Sequence, residues 1–235
     1  MSRKFKIRDQ EAVHFVTFTT IRWLDVFVRA EYRDIFLDSI RYCQKNKGLE
    51  VYAYCVMSSH VYMIIARHGP QQLEYVIRDI KKFTSFKIIE AIRNHPGESR
   101  RELLMWLFEK AGRSNPNNKR YQFWQQHSHP IELNTNEKLD QRLDYIHKNP
   151  VVAGIVRHPE EYLYSSAGNY AKLRENVLEV MLIEAHEVSR KTDNMIGTSL
   201  PHAQAYAGRL APDKSLRGRL ALAMGIPAKR SNGKQ

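Results

Sequence analysis

The chain carries only two cysteines in 235 residues, Cys43 and Cys55. Two thiols at that spacing make neither a disulfide framework nor a thiolate metal site, and both read as buried thiols of a reducing compartment. Long apolar runs are also missing. No stretch reaches the ~18 residues that would cross a bilayer. The basic start Met1-Ser2-Arg3-Lys4 is not followed by the apolar segment of a secretory signal. A soluble cytoplasmic protein is expected. Internal repeats are absent. Acidic residues are outnumbered, 25 Asp and Glu against 37 Lys and Arg, which leaves a net charge of +12. That excess favours a polyanionic partner through counterion release. A merely soluble basic protein has the same charge, so the motifs must decide. With 43% hydrophobic and 10% aromatic residues, the chain can form a real core.

Residues 12–19 are β-rich and partly alternating, which predicts a strand. Over 30–47, Tyr32, Ile35, Phe36, Ile40 and Cys43 recur at helical spacing, and Gly48 stops the helix. Residues 49–57 and 60–66 read as two antiparallel strands joined at Ser58-Ser59. A long helix follows over about 71–94, with Leu73, Val76, Ile77, Ile80, Phe83 and Ile88 inward, then a shorter one over 99–111. Residues 120–126 alternate strictly and predict the fourth strand. Asn134 or Asn136 is expected to cap a last helix running to Lys148, with Pro150 beyond it. Residues 151–170 form an ordered, tyrosine-rich coda.

The order β-α-β-β-α-(insert)-β-α predicts an α+β fold. It is the split β-α-β pattern, a ferredoxin-like, RRM-like four-stranded antiparallel sheet with helices on one face. The open face and the last helix are then available to a substrate. Composition shifts after about residue 184. Residues 1–184 are expected to form the domain and 185–235 a basic, flexible extension with one short helix over 216–224.

Three constellations have chemical content. His60 and Tyr62 stand at i and i+2 of a strand, so they share a face. Two histidines so placed make half of a divalent-metal site; a lone strand histidine satisfied by a neighbour has the same pattern. Tyr145 and Asn149, at i and i+4, share one helix face. That stripe suits a nucleophile beside a metal ligand, or an ordinary tyrosine over the sheet with a capping asparagine. Arg78, Lys81, Lys82 and Lys87, with Phe83 and Phe86 between them, suit phosphate contact, or a solvated face. Tyr121, Phe123 and Trp124 can stack unpaired bases or fill the core.

The stretch Ala53-Tyr54-Cys55-Val56-Met57-Ser58-Ser59-His60-Val61-Tyr62-Met63-Ile64-Ile65 resembles the strand-turn-strand of the single-tyrosine HUH transposases. These comprise the insertion-sequence-200-like enzymes and their chromosomal relatives, the REP-associated tyrosine transposases. Tyr145-Ile146-His147-Lys148-Asn149-Pro150-Val151-Val152-Ala153-Gly154 resembles the family's tyrosine segment. Pro159-Glu160-Glu161-Tyr162-Leu163-Tyr164-Ser165-Ser166 and the strand His14-Phe15-Val16-Thr17-Phe18-Thr19 resemble its neighbours. The likeness covers roughly residues 10–183.

It implies a homodimer that cuts single-stranded or hairpin DNA through a 5′-phosphotyrosine, leaving a free 3′-hydroxyl. It implies Mg²⁺ or Mn²⁺ held by the HUH histidines and a helix carboxamide. Carried over by position, Tyr145 is the nucleophile, and His60 and Asn149 are metal ligands. The chain departs from the pattern at Tyr62, where the family has histidine. A phenol of pKa ~10 is a poor ligand for Mg²⁺ while neutral. His68, Gln126 and His127 are conceivable substitutes. The expectation is therefore a metal-dependent strand transferase. The alternative is a hairpin-DNA-binding protein whose cleavage is weakened by Tyr62. An RNA-binding domain of the same fold is disfavoured, because the third strand lacks the Gly-Phe-aromatic signature of that class.

Overall fold

His14–Thr19 (β1), Leu49–Val56 (β2), His60–Arg67 (β3) and Ile131–Glu132 (β4) make one antiparallel sheet in the order β2-β3-β1-β4. The helices are Ala30–Lys47 (α1), Leu73–Asn94 (α2), Arg101–Arg113 (α3), Asn136–Val152 (α4) and the single turn Ala167–Tyr170 (α5). This computed structural model describes residues 7, 9–116, 120–126, 130–173 and 177–183. The basic extension expected past residue 184, its helix at 216–224 and His127 lie outside the described residues. Among those described, no helix is long and apolar enough to cross a membrane.

The pairing register sorts the side chains between two faces. Thr17 lies opposite Tyr62 and Thr19 opposite His60, while Phe18 lies opposite Val61 and Val16 opposite Met63. Partners in an antiparallel ladder share a face and neighbours along a strand do not. The Phe18 face is covered by α1 and α2. Phe18 meets Phe36 of α1 edge-on, with ring centroids 5.5 Å apart, and Lys81 of α2 lies 5.8 Å from the Phe18 ring. The His60–Tyr62 face receives α4, which touches β2 and β3.

Helix α1 ends where expected. Gly48 takes a left-handed φ of 62°, and its N–H donates to the Cys43 carbonyl. A Cβ there would lie 1.7 Å from the His68 carbonyl oxygen, so only glycine fits this close approach. Helix α4 differs from expectation at both ends. Its N-cap is Thr135, whose Oγ1 accepts from the Lys138 N–H at 3.3 Å, rather than Asn134 or Asn136. It also runs through Pro150 to Val152. The stop is Gly154, at φ 73°: its N–H donates to the Val151 carbonyl and the Ile155 N–H to the Pro150 carbonyl, both at 2.9 Å. That pair of bonds closes a helix C-terminus without needing the proline as terminator.

The expected strand over 120–126 is corrected. The segment is extended but joins the sheet only through one bridge, Thr20 to Trp124; the paired strand is Ile131–Glu132, opposite Phe15 and His14. Phe123 and Trp124 are both buried, and two successive inward side chains break strand alternation. Trp124 packs on Phe18, Phe27 and Phe36, and its indole N–H donates to Thr84 Oγ1 at 3.0 Å. Core packing wins over the ladder.

One buried carboxylate ties α1 to the α2–α3 connection. Glu98 accepts from Arg29 Nε at 2.8 Å, from the Tyr32 hydroxyl at 3.0 Å and from Arg100 Nε at 3.2 Å. Burial alone would raise its pKa. The bonds from Arg29, Arg100 and Tyr32 outweigh it and hold the carboxyl at about 2, below its ordinary 4.5. Its contribution to stability is therefore complete above pH 4.5 and lost as the pH falls towards 2. Glu98→Gln is expected to destabilise the fold by about 3 kcal/mol, because two guanidiniums then lose their anion. Urea denaturation at neutral pH checks this, and a cost below about 0.5 kcal/mol, the size of an ordinary surface change, would contradict it.

Candidate nucleic-acid-processing site

Helix α4 buries Leu139, Leu143, Ile146, His147 and Pro150, which leaves Arg142, Tyr145 and Asn149 on the neighbouring stripe. Tyr145 is 37% exposed. Its hydroxyl donates to the Tyr62 hydroxyl at 2.9 Å, and the two rings meet edge-on at 5.1 Å. Tyr62 is buried. It stacks on Phe15 at 5.8 Å and meets His60 edge-on at 4.6 Å. Trp23, 53% exposed, closes the row 5.2 Å from His60. Asn149 follows one turn after Tyr145 and is half-buried. The structure thus brings Tyr145, Tyr62 and His60 into one aromatic row at an open mouth.

Local electrostatics fix the protonation states. Burial pushes His60 down to about 4, opposed by Asp25, so its imidazole is neutral at pH 7. Its Nδ1 lies 3.1 Å from Ser59 Oγ, and its buried Nε2 has no hydrogen-bond partner among the described residues. Burial first, and then the bond from Tyr145, raise the Tyr62 phenol. Tyr62 is therefore a neutral phenol at any physiological pH.

These residues do not make the metal site that the resemblance implies. One neutral imidazole with an orphaned nitrogen suits a ligand. The second position, however, is a phenol held neutral, with its oxygen already accepting from Tyr145. Among the described residues, no group of three His, Cys, Asp or Glu is placed to hold a metal. His68 is no substitute, since it sits beyond the far end of β3, where its N–H donates to the Gly48 carbonyl.

The basic residues of α2 are not brought to Tyr145. The helix covers the opposite sheet face. Lys81 there is half-buried, donates to the Gln125 carbonyl at 3.3 Å and is lowered to about 8 by burial. Arg78 lies over the Tyr75 ring and beside Asp79, Lys87 pairs with Glu90 at 2.9 Å, and Lys82 is exposed. Phe123 and Trp124 are core, whereas Tyr121 is half-buried between Arg93 and Arg120.

Sequence reasoning missed Arg142, whose guanidinium lies 4.8 Å from the ring of Phe15, which itself packs on Tyr62 and Tyr145. Its spacing to Tyr145 and Asn149, three and seven residues, was a readable stripe. It also missed Trp23, which no periodicity marks. His147, inside the tyrosine motif, has a structural place: it is fully buried, with Nε2 2.8 Å from Ser166 Oγ.

Burial pushes His147 down to about 3 from its ordinary 6.5. The unfolded chain takes up a proton that the native state refuses, so stability is complete above pH 6.5 and falls as the pH drops towards 3. Each such histidine contributes a slope of up to ~1.4 kcal/mol per pH unit in that window. His147→Gln is expected to flatten the loss of stability between pH 6 and 4 in urea titrations; an unchanged slope would contradict the neutral, buried assignment.

A family model described as IS200-like transposase matches residues 9–107. The match includes His60 and Tyr62 and ends before Tyr145. Among solved structures, the fold is similar to that of a REP-associated tyrosine transposase bound to a REP hairpin. The TM-score is 0.51 at 16% identity, covering 74% of this chain and 87% of that one. A crystal structure of a protein from Deinococcus radiodurans R1, described as a transposase, is more distant. Its TM-score is 0.36 at 15% identity, over 62% of this chain and 94% of the other. No curated protein matches the sequence. The chain is thus similar to the IS200-like transposase family through residues 9–107, and its fold is similar to that of a solved REP-associated tyrosine transposase.

Proposed function

We propose that this chain acts on single-stranded or hairpin DNA, with Tyr145 as the group that attacks a phosphodiester. The observation that carries this reading is the half-exposed Tyr145 hydroxyl held over β3 by Tyr62, whose ring also meets His60, with Arg142 over the neighbouring Phe15 ring. The family match supports a DNA transposase. The hairpin in the similar solved structure supports the class of DNA.

In the proposed step, the Tyr145 oxygen bonds to phosphorus and the P–O3′ bond breaks. The 5′-phosphate stays on the tyrosine, and the 3′-oxygen leaves as a hydroxyl; the proton that the Tyr145 phenol releases to solvent balances the one that the 3′-oxygen takes up. Arg142 is placed to neutralise phosphate charge as the bond forms. Contacts near the reacting phosphate fall to α4, not α2. Arg78, Lys82 and Lys87 can meet only DNA that reaches round to the other side of the sheet. The reading includes the homodimer that the resemblance implies.

A second reading rests on Tyr62. Its oxygen accepts the Tyr145 hydroxyl, and it stands where a second histidine would bind a divalent ion. Both features slow cleavage without touching DNA binding. On this reading the chain is a hairpin-DNA-binding protein with weakened strand transfer.

Tyr145→Phe is expected to abolish covalent attachment to labelled single-stranded hairpin DNA on a denaturing gel and to leave binding within about twofold, since only the nucleophilic oxygen is lost. An adduct from the Phe variant would sink the assignment.

Tyr62→His is expected to create a two-histidine site. Calorimetric titration with Mn²⁺ should then show binding that the parent chain lacks, and the adduct yield should rise by at least about tenfold, the size of a lost metal-site interaction. Equal Mn²⁺ heats for parent and variant would refute it. If the variant forms adduct and the parent does not, the second reading holds.

A further inference from the structure

The two faces of the sheet carry different helices. Helix α4 brings Tyr145 to one of them, and α2 lies across the other. Along the outer side of α2, Lys82, Phe86 and Glu90 stand four residues apart and form one row. Phe86 is 63% exposed, and Phe83, just before it in the adjacent row, is 49% exposed. Burying a phenylalanine removes on the order of 150–250 Å² from water. Two rings left bare within one turn of a 22-residue helix therefore form an apolar patch whose burial would be favourable.

Charges flank the patch. Lys82 is exposed and makes no ion pair among the described residues. Glu90 is half-buried and pairs with Lys87 at 2.9 Å, and the Lys87 ammonium lies 5.5 Å from the Phe86 ring. The row thus reads cation, ring, anion, with the ring at its centre. Such a row is complementary to itself when reversed. Rows of this spacing run parallel to each other when two helices cross at about −50°. Most homodimers are related by a two-fold axis, which brings the same patch of both copies together. An axis beside Phe86 sets the two Phe86 rings together and brings Lys82 of each copy alongside Glu90 of the other.

The sheet edges suit a second copy less well. β2 is an edge strand, but its backbone is already bonded to the chain's own coda. Tyr54 N–H donates to Ser166 Oγ and the Tyr54 carbonyl accepts from Ser166 N–H, both at 3.0 Å. Val56 N–H donates to the Tyr164 carbonyl at 2.9 Å, and the Val51 carbonyl accepts from Met181 N–H at 2.9 Å. The Tyr52 carbonyl accepts from the Tyr170 hydroxyl at 3.0 Å. An edge covered in this way is no template for another strand. At the opposite edge, β4 has only two residues.

We propose that a second copy of this chain docks on the outer face of α2, centred on Phe86, with Lys82 of each copy set against Glu90 of the other. The inference rests on the homodimer included in the reading above and assigns it a surface. Because α2 and α4 lie on opposite faces of the sheet, both tyrosine rows then face outward and stay open to DNA. Lys82 has a carboxylate rather than a phosphate as its partner.

The test is sedimentation equilibrium of the full chain over a concentration series, without DNA. The parent is expected to pass from monomer to dimer. Phe86→Asp is expected to weaken the dimer by at least about thirtyfold, the effect of losing a central apolar anchor. Lys82→Glu sets two like charges against each other at each of two symmetric places and is expected to weaken it by about tenfold. Lys82→Glu combined with Glu90→Lys remakes both pairs in reverse and is expected to restore the parent's dimer constant to within about threefold. Circular dichroism confirms that the variants are folded. A dimer indifferent to Phe86→Asp, or a double variant no better than Lys82→Glu alone, means that the copies meet elsewhere and overturns the proposed face. A parent that stays monomeric throughout overturns both the face and the homodimer. Since no DNA is present, neither result bears on the role of Tyr145.

Discussion

The antiparallel pairing of β1 with β3 is the constraint on which the site depends. With Thr17 opposite Tyr62 and Thr19 opposite His60, the even-numbered side chains of β3 turn towards α4 and the odd-numbered ones towards α1 and α2. A slip of one residue would exchange the two sets. Val61 and Met63 would then face the tyrosine helix, and His60 would be buried behind the sheet. The β2 edge is held by the coda as well. Val56 N–H donates to the Tyr164 carbonyl at 2.9 Å, and Ser166 N–H to the Tyr54 carbonyl at 3.0 Å. The same segment seats His147, so the helix carrying Tyr145 is fixed from its buried side while its hydroxyl side stays open.

The site then has an internal tension. A tyrosine nucleophile needs its proton to leave and the phosphate charge to be neutralised. Here the Tyr145 hydroxyl donates to a second phenol that burial keeps neutral, at the position where the resemblance implies a metal-binding histidine. Arg142 supplies charge but no Lewis acid. Tyr62 therefore acts on both requirements at once. The fold accommodates Tyr62 because its ring packs well, against Phe15, His60 and Tyr145. The substitution preserves packing while changing chemistry.

Much of this arrangement could be read from the residues. Helix α1 was legible to the residue, since its apolar spacing is clean and Gly48 can take the left-handed conformation that ends it. The β2–β3 hairpin was legible from two β-rich runs meeting at Ser58-Ser59. The fourth strand was not. Residues 120–126 alternate in sequence, but Phe123 and Trp124 both turn inward into the core, and the described strand that pairs with β1 is Ile131–Glu132. The end of α4 was misread because Pro150 looks like a terminator, while the left-handed residue that closes the helix is Gly154. Of the site, the stripe Tyr145–Asn149 was legible from helical spacing. The partnership of Tyr145 with Tyr62, distant in the chain, was not, and neither was the separation of the α2 cations from the tyrosine by the thickness of the sheet. Periodicity reports which side of an element is buried, not which side of the sheet the element covers.

The most direct measurement of the central claim is the site of covalent attachment. The parent chain and Tyr62→His would each be incubated with single-stranded hairpin DNA, then treated with nuclease and trypsin and mapped by mass spectrometry. The account predicts a residual nucleotide-phosphate mass on the peptide Leu143–Lys148, with higher occupancy in the histidine variant. An adduct on any other peptide, or none in either protein while both bind the DNA, would contradict it.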